Sequence, residues 1–162
     1  MNTSEIMVRM IAFSDQNHRD INHFMKVHSF ARTIGVLEQL DDETQFILET
    51  AAIVHDIACP LCREKYGSTA GKYQEMEGMI IAREFLADTG MTQGEIDRVV
   101  YLVGHHHTLH SIDGADYQIL IEADYLVNAD ESGYSKDNIR SFGETYFKTA
   151  AGKNLLHALY GI

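Results

Sequence analysis

Proline occurs once in this chain, at Pro60, and cysteine twice, at Cys59 and Cys62. With one imino acid, and with glycines scattered where helices would end, no linker divides the sequence and no repeat is visible. One domain spanning residues 1–162 is therefore expected. The Cys59-Pro-Leu-Cys62 pair has no second pair to complete a structural zinc site, and it lacks the preceding strand of a thioredoxin-like redox motif. Strand-type alternation is nearly absent throughout, and the Asp113-Gly114 turn pair falls between two helical segments.

Positive charge is also scarce: 13 Lys and Arg stand against 24 Asp and Glu. Such a surface repels phosphate backbones and anionic membranes, which excludes extended nucleic acid as a partner. A small phosphorylated substrate stays open, because one bound divalent cation supplies the missing charge locally. No apolar run approaches the length of a membrane span, and no basic leader precedes an apolar segment at the N-terminus. A cytoplasmic protein with no membrane partner is expected. The 45% hydrophobic and 23% charged fractions belong to a folded chain, not a disordered one.

What is present is helical periodicity. From Asp20 to Leu40, apolar residues such as Ile21, Phe24, Val27, Ala31 and Ile34 recur at three- and four-residue steps. Further helices are expected over Asp42–His55, Glu75–Thr89, Thr92–His106, Tyr117–Asn128, Lys136–Tyr146 and Thr149–Tyr160. The stretch from Leu61 to Gln74, with Gly67, Ser68, Thr69 and Gly71, reads as a loop covering whatever ends the second of these. The fold class is all-α, a bundle of six to seven helices. The apolar segment around Leu155, Leu156 and Leu159 packs either on the core or on a second copy, so a homo-oligomer is open.

Three elements carry candidate chemistry. His55-Asp56 follows the apolar run Ala51-Ala52-Ile53-Val54, which sets a carboxylate against the negative pole of a helix, an arrangement that a bound cation would offset. Taken alone, the pair also reads as a solvated helix end. In Gly104-His105-His106-His107, successive rings point about 100° apart, and His106 shares the buried face of Val99 and Val103. Asp124 sits within Ile119-Leu120-Ile121-Glu122-Ala123-Asp124-Tyr125-Leu126-Val127, where a carboxylate is rarely buried unless it is paired or holds a metal.

This ordering, a His, a His-Asp pair and a distant Asp from separate helices, resembles the HD-domain superfamily of metal-dependent phosphohydrolases. The chain matches it as His23, His55-Asp56 and Asp124, with His106 as a further ligand. His23 fits the family spacing through Val27 and Ala31, and His28 is its rival. Glu77-Gly78 with Ala82 and Phe85-Leu86 looks like the family helix that follows the His-Asp loop, and the resemblance covers about residues 20–128. The sequence departs from the pattern at Ile57-Ala58-Cys59-Pro60, where relatives often carry Gly-Lys or a catalytic Glu.

The resemblance implies one or two divalent transition metals (Fe, Mn, Co, Ni or Zn) bound by His23, His55, Asp56, Asp124 and His106. It implies a hydrolase acting on a small phosphate ester, a nucleotide by expectation, with Asp56, His106 and Glu77 as candidate catalytic groups. Lys65, Lys72 and His110 are the candidates for binding substrate, and Tyr66 and Tyr73 could stack a nucleobase. Two other readings use the same scaffold: a regulatory module that binds metal or nucleotide without turnover, and a di-iron oxidase.

Overall fold

The computed structural model describes residues 1–162 and contains helices only. In chain order these are α1 (Thr3–Phe13), α2 (His18–Leu37), α3 (Asp42–Val54), α4 (Cys59–Tyr66), α5 (Gly71–Leu86), α6 (Gln93–Val103), α7 (Ala115–Glu131), α8 (Lys136–Tyr146) and α9 (Ala150–Tyr160). The all-α class is as the periodicity indicates, but nine helices replace the expected six to seven.

The two additional helices have local causes. α1 opens on a capping box, in which the Asn2 side chain accepts from the Glu5 N–H and the Glu5 carboxylate accepts from the Asn2 N–H. α4 lies inside the segment expected to be a loop. Pro60 sits in its first turn, where the missing N–H costs no hydrogen bond, and Gly67 ends it in the left-handed conformation at φ 62°. Eight residues are too few to show a period, so the helix is defined by its ends. Only residues 67–70 remain as connection before α5 begins.

The core forms where α2 packs on α3 and α7, and α3 in turn on α6 and α7. One apolar cluster draws Ile6 from α1, Phe24 from α2, Leu48 from α3, Leu86 from α5, Leu102 from α6, Ile119 from α7, Ile139 from α8 and Leu156 from α9. α3 is the axle of this packing, since every residue from Ile47 to Val54 is buried. The stretch Asp42–Tyr66 is long enough and apolar enough to cross a membrane by composition, which the sequence reading had not anticipated. Its most apolar window, of mean hydropathy 1.2, is however 72% buried inside the protein. α5 reaches α6 closely at Gly78, where a Cβ would come 2.8 Å from Val103 Cγ1 and 3.9 Å from Ala58 Cβ.

Candidate metal centre

Four helices deliver the candidate residues to one place. His23 lies in the second turn of α2, His55 caps the C-terminus of α3 with Asp56 next in the chain, His106 follows the end of α6, and Asp124 is in the middle of α7. Because α3 is buried along its last two turns, its end drives His55 into the core, where the side chain is wholly inaccessible.

His23 Nε2 lies 3.2 Å from His55 Nε2, 3.2 Å from Asp56 Oδ2 and 3.2 Å from Asp124 Oδ1. His55 Nε2 lies 3.4 Å from each of the same two carboxylate oxygens. His106 Nε2 is 3.4 Å from the other oxygen of Asp56, is buried, and has no hydrogen-bond partner. Donors around a first-row divalent ion with bonds of about 2.0–2.2 Å sit roughly 2.8–3.6 Å apart, so these spacings suit such an ion.

The outer nitrogens of the three rings fix the tautomers. His55 Nδ1 donates to the Ala52 carbonyl at 2.7 Å and His106 Nδ1 to the Val103 carbonyl at 2.8 Å, and a carbonyl can only accept. His23 Nδ1 meets the Glu131 carboxylate at 2.7 Å. When neutral, each imidazole therefore aims its Nε2 lone pair inward, toward two carboxylates. Lone pairs facing carboxylates repel unless a proton or a metal ion stands between them. Burial opposes charging His23, yet Asp124 and Asp56 raise its pKa from 6.5 to about 11, and His55, also opposed by burial, is raised to about 10. The imidazoles in turn hold Asp56 and Asp124 well below the usual carboxylate range, against the burial that would raise them. The site demands positive charge at its centre.

Two groups of residues could hold an ion: His23, His55 and Asp56, and beside it Asp56, His106 and His107. Asp124 adds to the first through its Oδ1, which also accepts from Asn128 Nδ2 at 2.9 Å. The rival His28 is elsewhere, with Nε2 3.0 Å from Glu49 Oε1, and His105 stacks on Tyr101 with ring centroids 4.0 Å apart.

The other candidates are not at this centre. Glu77 Oε1 accepts from Lys65 Nζ at 2.7 Å and from the Tyr66 hydroxyl at 2.6 Å, which commits both the proposed catalytic acid and one proposed substrate-binding lysine. Lys72 Nζ lies over the Tyr73 ring at 4.8 Å. Tyr66 and Tyr73 stack on each other at 4.0 Å and 7°, which leaves no slot between them for a base. His110 is exposed, with Nδ1 3.4 Å from Ser111 Oγ. For the residues of α4 and α5 the physical reason is common: α4 folds back onto α5, so the cations of that segment find Glu77 and tyrosine rings. Cys59 and Cys62 are buried free thiols whose pKa values burial pushes up, the reverse of a reactive pair.

A cavity of about 270 Å³ opens instead on the other side of the cluster, between the end of α6, α7 and α8. His106 and Asp124 form its inner wall, and Tyr125, Asn128, Asn138 and Phe142 are among the residues completing it. Sequence reasoning missed this cavity and also Glu131. The latter had a signal, because Asp124, Asn128 and Glu131 fall at i, i+4 and i+7 on one face of α7.

Comparison with known proteins identifies the family and the fold. A family model, the HD domain, matches residues 20–132. No curated protein matches the chain. Among solved structures it is similar to a predicted HD superfamily hydrolase from an uncultured Thermotogales bacterium, with a TM-score of 0.73 and 23% sequence identity. That similarity covers 98% of this chain and 84% of the other.

Proposed function

The chain belongs to the HD-domain family, and on that premise we propose that it is a metal-dependent phosphohydrolase cleaving a small phosphate ester, with nucleotides as expected substrates. One observation carries the reading: three Nε2 atoms with their lone pairs turned inward meet two carboxylates, buried Asp124 and partly buried Asp56, at spacings that suit a divalent transition metal.

His23, His55, Asp56 and Asp124 would hold the ion, with His106 completing a neighbouring position. When bound, it supplies the Lewis acidity that activates water and offsets charge on the phosphoryl oxygens. The remaining work falls to the side chains. Asp56 can take the proton that water loses on its second oxygen, the one beside His106. With no second ion on its Nε2, His106 can take that proton from Asp56 and, from the cavity wall, pass it to the leaving oxygen, so that ester and water give alcohol and phosphate. Asn128 and Glu131 keep Asp124 and His23 in place. The di-iron reading draws on the second group, Asp56, His106 and His107, which shares a carboxylate with the first.

The test is metal content by mass spectrometry on protein purified without a metal-affinity tag, beside the variant His55→Ala/Asp56→Ala. A near-stoichiometric transition metal lost in the variant, with hydrolysis of phosphate esters in the presence of Mn, Co, Ni or Fe, is the expected result. Two irons per chain with oxygen uptake and no ester hydrolysis would replace this reading with the oxidase. Absence of metal even after addition would end both.

A further inference from the structure

The cavity beside the cluster is unusual for one expected to take a phosphorylated ligand, because no lysine or arginine lines it. Phosphate sites ordinarily use such cations, which pair with phosphoryl oxygens through charge-assisted hydrogen bonds. Here the wall is aromatic and amide. Tyr125 and Phe142 stack on each other, with centroids 3.7 Å apart and planes 6° from parallel, so a ligand meets only the outward surfaces of the pair, and Tyr134 leans against Tyr125 at 5.6 Å. The acidic cluster residue Asp124 is the formal charge on the lining.

The two amides are already oriented by the protein. Asn138 Oδ1 accepts from the Tyr125 hydroxyl at 2.5 Å, so its NH2 is the part left for a ligand. Asn128 gives its NH2 to Asp124 Oδ1 at 2.9 Å, which leaves its carbonyl oxygen. The cavity thus offers amide donors and an amide acceptor beside aromatic surface, in a volume of about 270 Å³. That is below the several hundred Å³ typical of pockets for larger ligands, and fits one ring system with a short link.

We infer that this cavity selects a phosphomonoester carrying a single phosphate on a flat, uncharged heteroaromatic body, and that it rejects polyphosphates. The inference rests on the hydrolase reading, which supplies the cation next to Asp124. One phosphate can be matched by that cation. A second or third would enter a space walled by aromatic rings, amides, a carboxylate and the imidazoles of His106 and His107, in a chain of net charge −11, with no lysine or arginine to replace its hydration. The body is held by Phe142 and Asn138 of α8, and the lysines of the α4–α5 side take no part.

The experiment compares the Mn-loaded protein on a nucleoside monophosphate, the matching triphosphate and glycerol phosphate. Calorimetric titration with phenylphosphonate, methylphosphonate and pyrophosphate gives a binding readout without turnover. The expected result is a kcat/KM at least tenfold higher for the monophosphate than for the other two, and phenylphosphonate binding at least tenfold tighter than methylphosphonate or pyrophosphate. Both preferences should fall to near unity in Phe142→Ala. Asn138→Ala removes an exposed side chain but also the acceptor of the Tyr125 hydroxyl, so its helical circular dichroism spectrum is compared with wild type first; it should weaken the nucleotide selectively, raising its KM and leaving kcat little changed. Hydrolysis of all esters alike, or equal use of the triphosphate, would overturn the inference and leave the hydrolase standing. No hydrolysis of any ester would remove the hydrolase, and the phosphonate titrations would then decide the cavity's selectivity alone.

Discussion

Glu122 and Asp124 stand two residues apart on α7, and their burial is resolved in opposite ways. A step of two residues turns about 200°, so they face opposite sides of the helix. Glu122, wholly buried, meets the α8–α9 connection. It accepts from the backbone N–H of Lys148 at 2.6 Å and of Thr149 at 3.0 Å, and also from Gln118 Nε2 and the Thr149 hydroxyl. Asp124 meets imidazole nitrogens and one asparagine amide, and gains no backbone donor. A carboxylate surrounded by hydrogen-bond donors is complete as folded and holds the structure. One surrounded by lone pairs is complete only with a cation, and is available for chemistry. The remaining buried acids follow Glu122 in having dedicated partners: Glu49 has Arg32, His28 and Gln45, Glu77 has Lys65 and Tyr66, and Asp116 has Arg98.

This contrast predicts a crossover between two variants. Asp124→Ala should abolish stoichiometric metal binding while changing the stability of metal-free protein less than Glu122→Ala does. Glu122→Ala removes the partner of two part-buried backbone N–H groups, the Thr149 hydroxyl and Gln118, and should cost about 3 kcal/mol in urea denaturation, with metal content unchanged. If Glu122→Ala also lost the metal, the two faces of α7 would not be independent. Glu131→Gln sharpens the comparison from outside the cluster. It weakens the acceptor for His23 Nδ1 and should lower metal affinity about tenfold by calorimetry, with a helical circular dichroism spectrum like wild type.

The smallest effect concerns pH. Burial alone would raise the pKa of Glu49, but His28, Gln45 and Arg32 lower it below 4.5. Its contribution is therefore present above about pH 4.5 and is lost as pH falls through the lower folded value. Urea midpoints measured between pH 5 and 3 should decline more steeply in wild type than in Glu49→Gln. Equal slopes would show that the ion pair adds nothing.

The centre was largely legible in the sequence because its members are polar residues in apolar company. Asp124 interrupts a buried helix, His55-Asp56 ends one, and His106 lies on the Val99–Val103 face. The substrate side was not legible. Lys65 and Lys72 lie on the segment that reads as a covering loop, whereas the return of α4 onto α5 pairs Lys65 with Glu77 and carries Lys72 to Tyr73. Phe142 and Asn138 reach the cavity beside the centre through their contacts with Tyr125 of α7, which no local pattern encodes. α4 escaped because a helix of eight residues is specified by Pro60 and Gly67 at its ends.

The bonds from His55 Nδ1 to Ala52 and from His106 Nδ1 to Val103 tie two rings to the last turns of α3 and α6. Their torsional freedom is therefore given up when the helices form, before any ion arrives. A cation entering such a site has little left to order, so its binding entropy should be dominated by the water it releases. An ion that needs longer bonds can be accommodated only by moving helix ends embedded in the core, which makes ionic radius a selection criterion built into the scaffold.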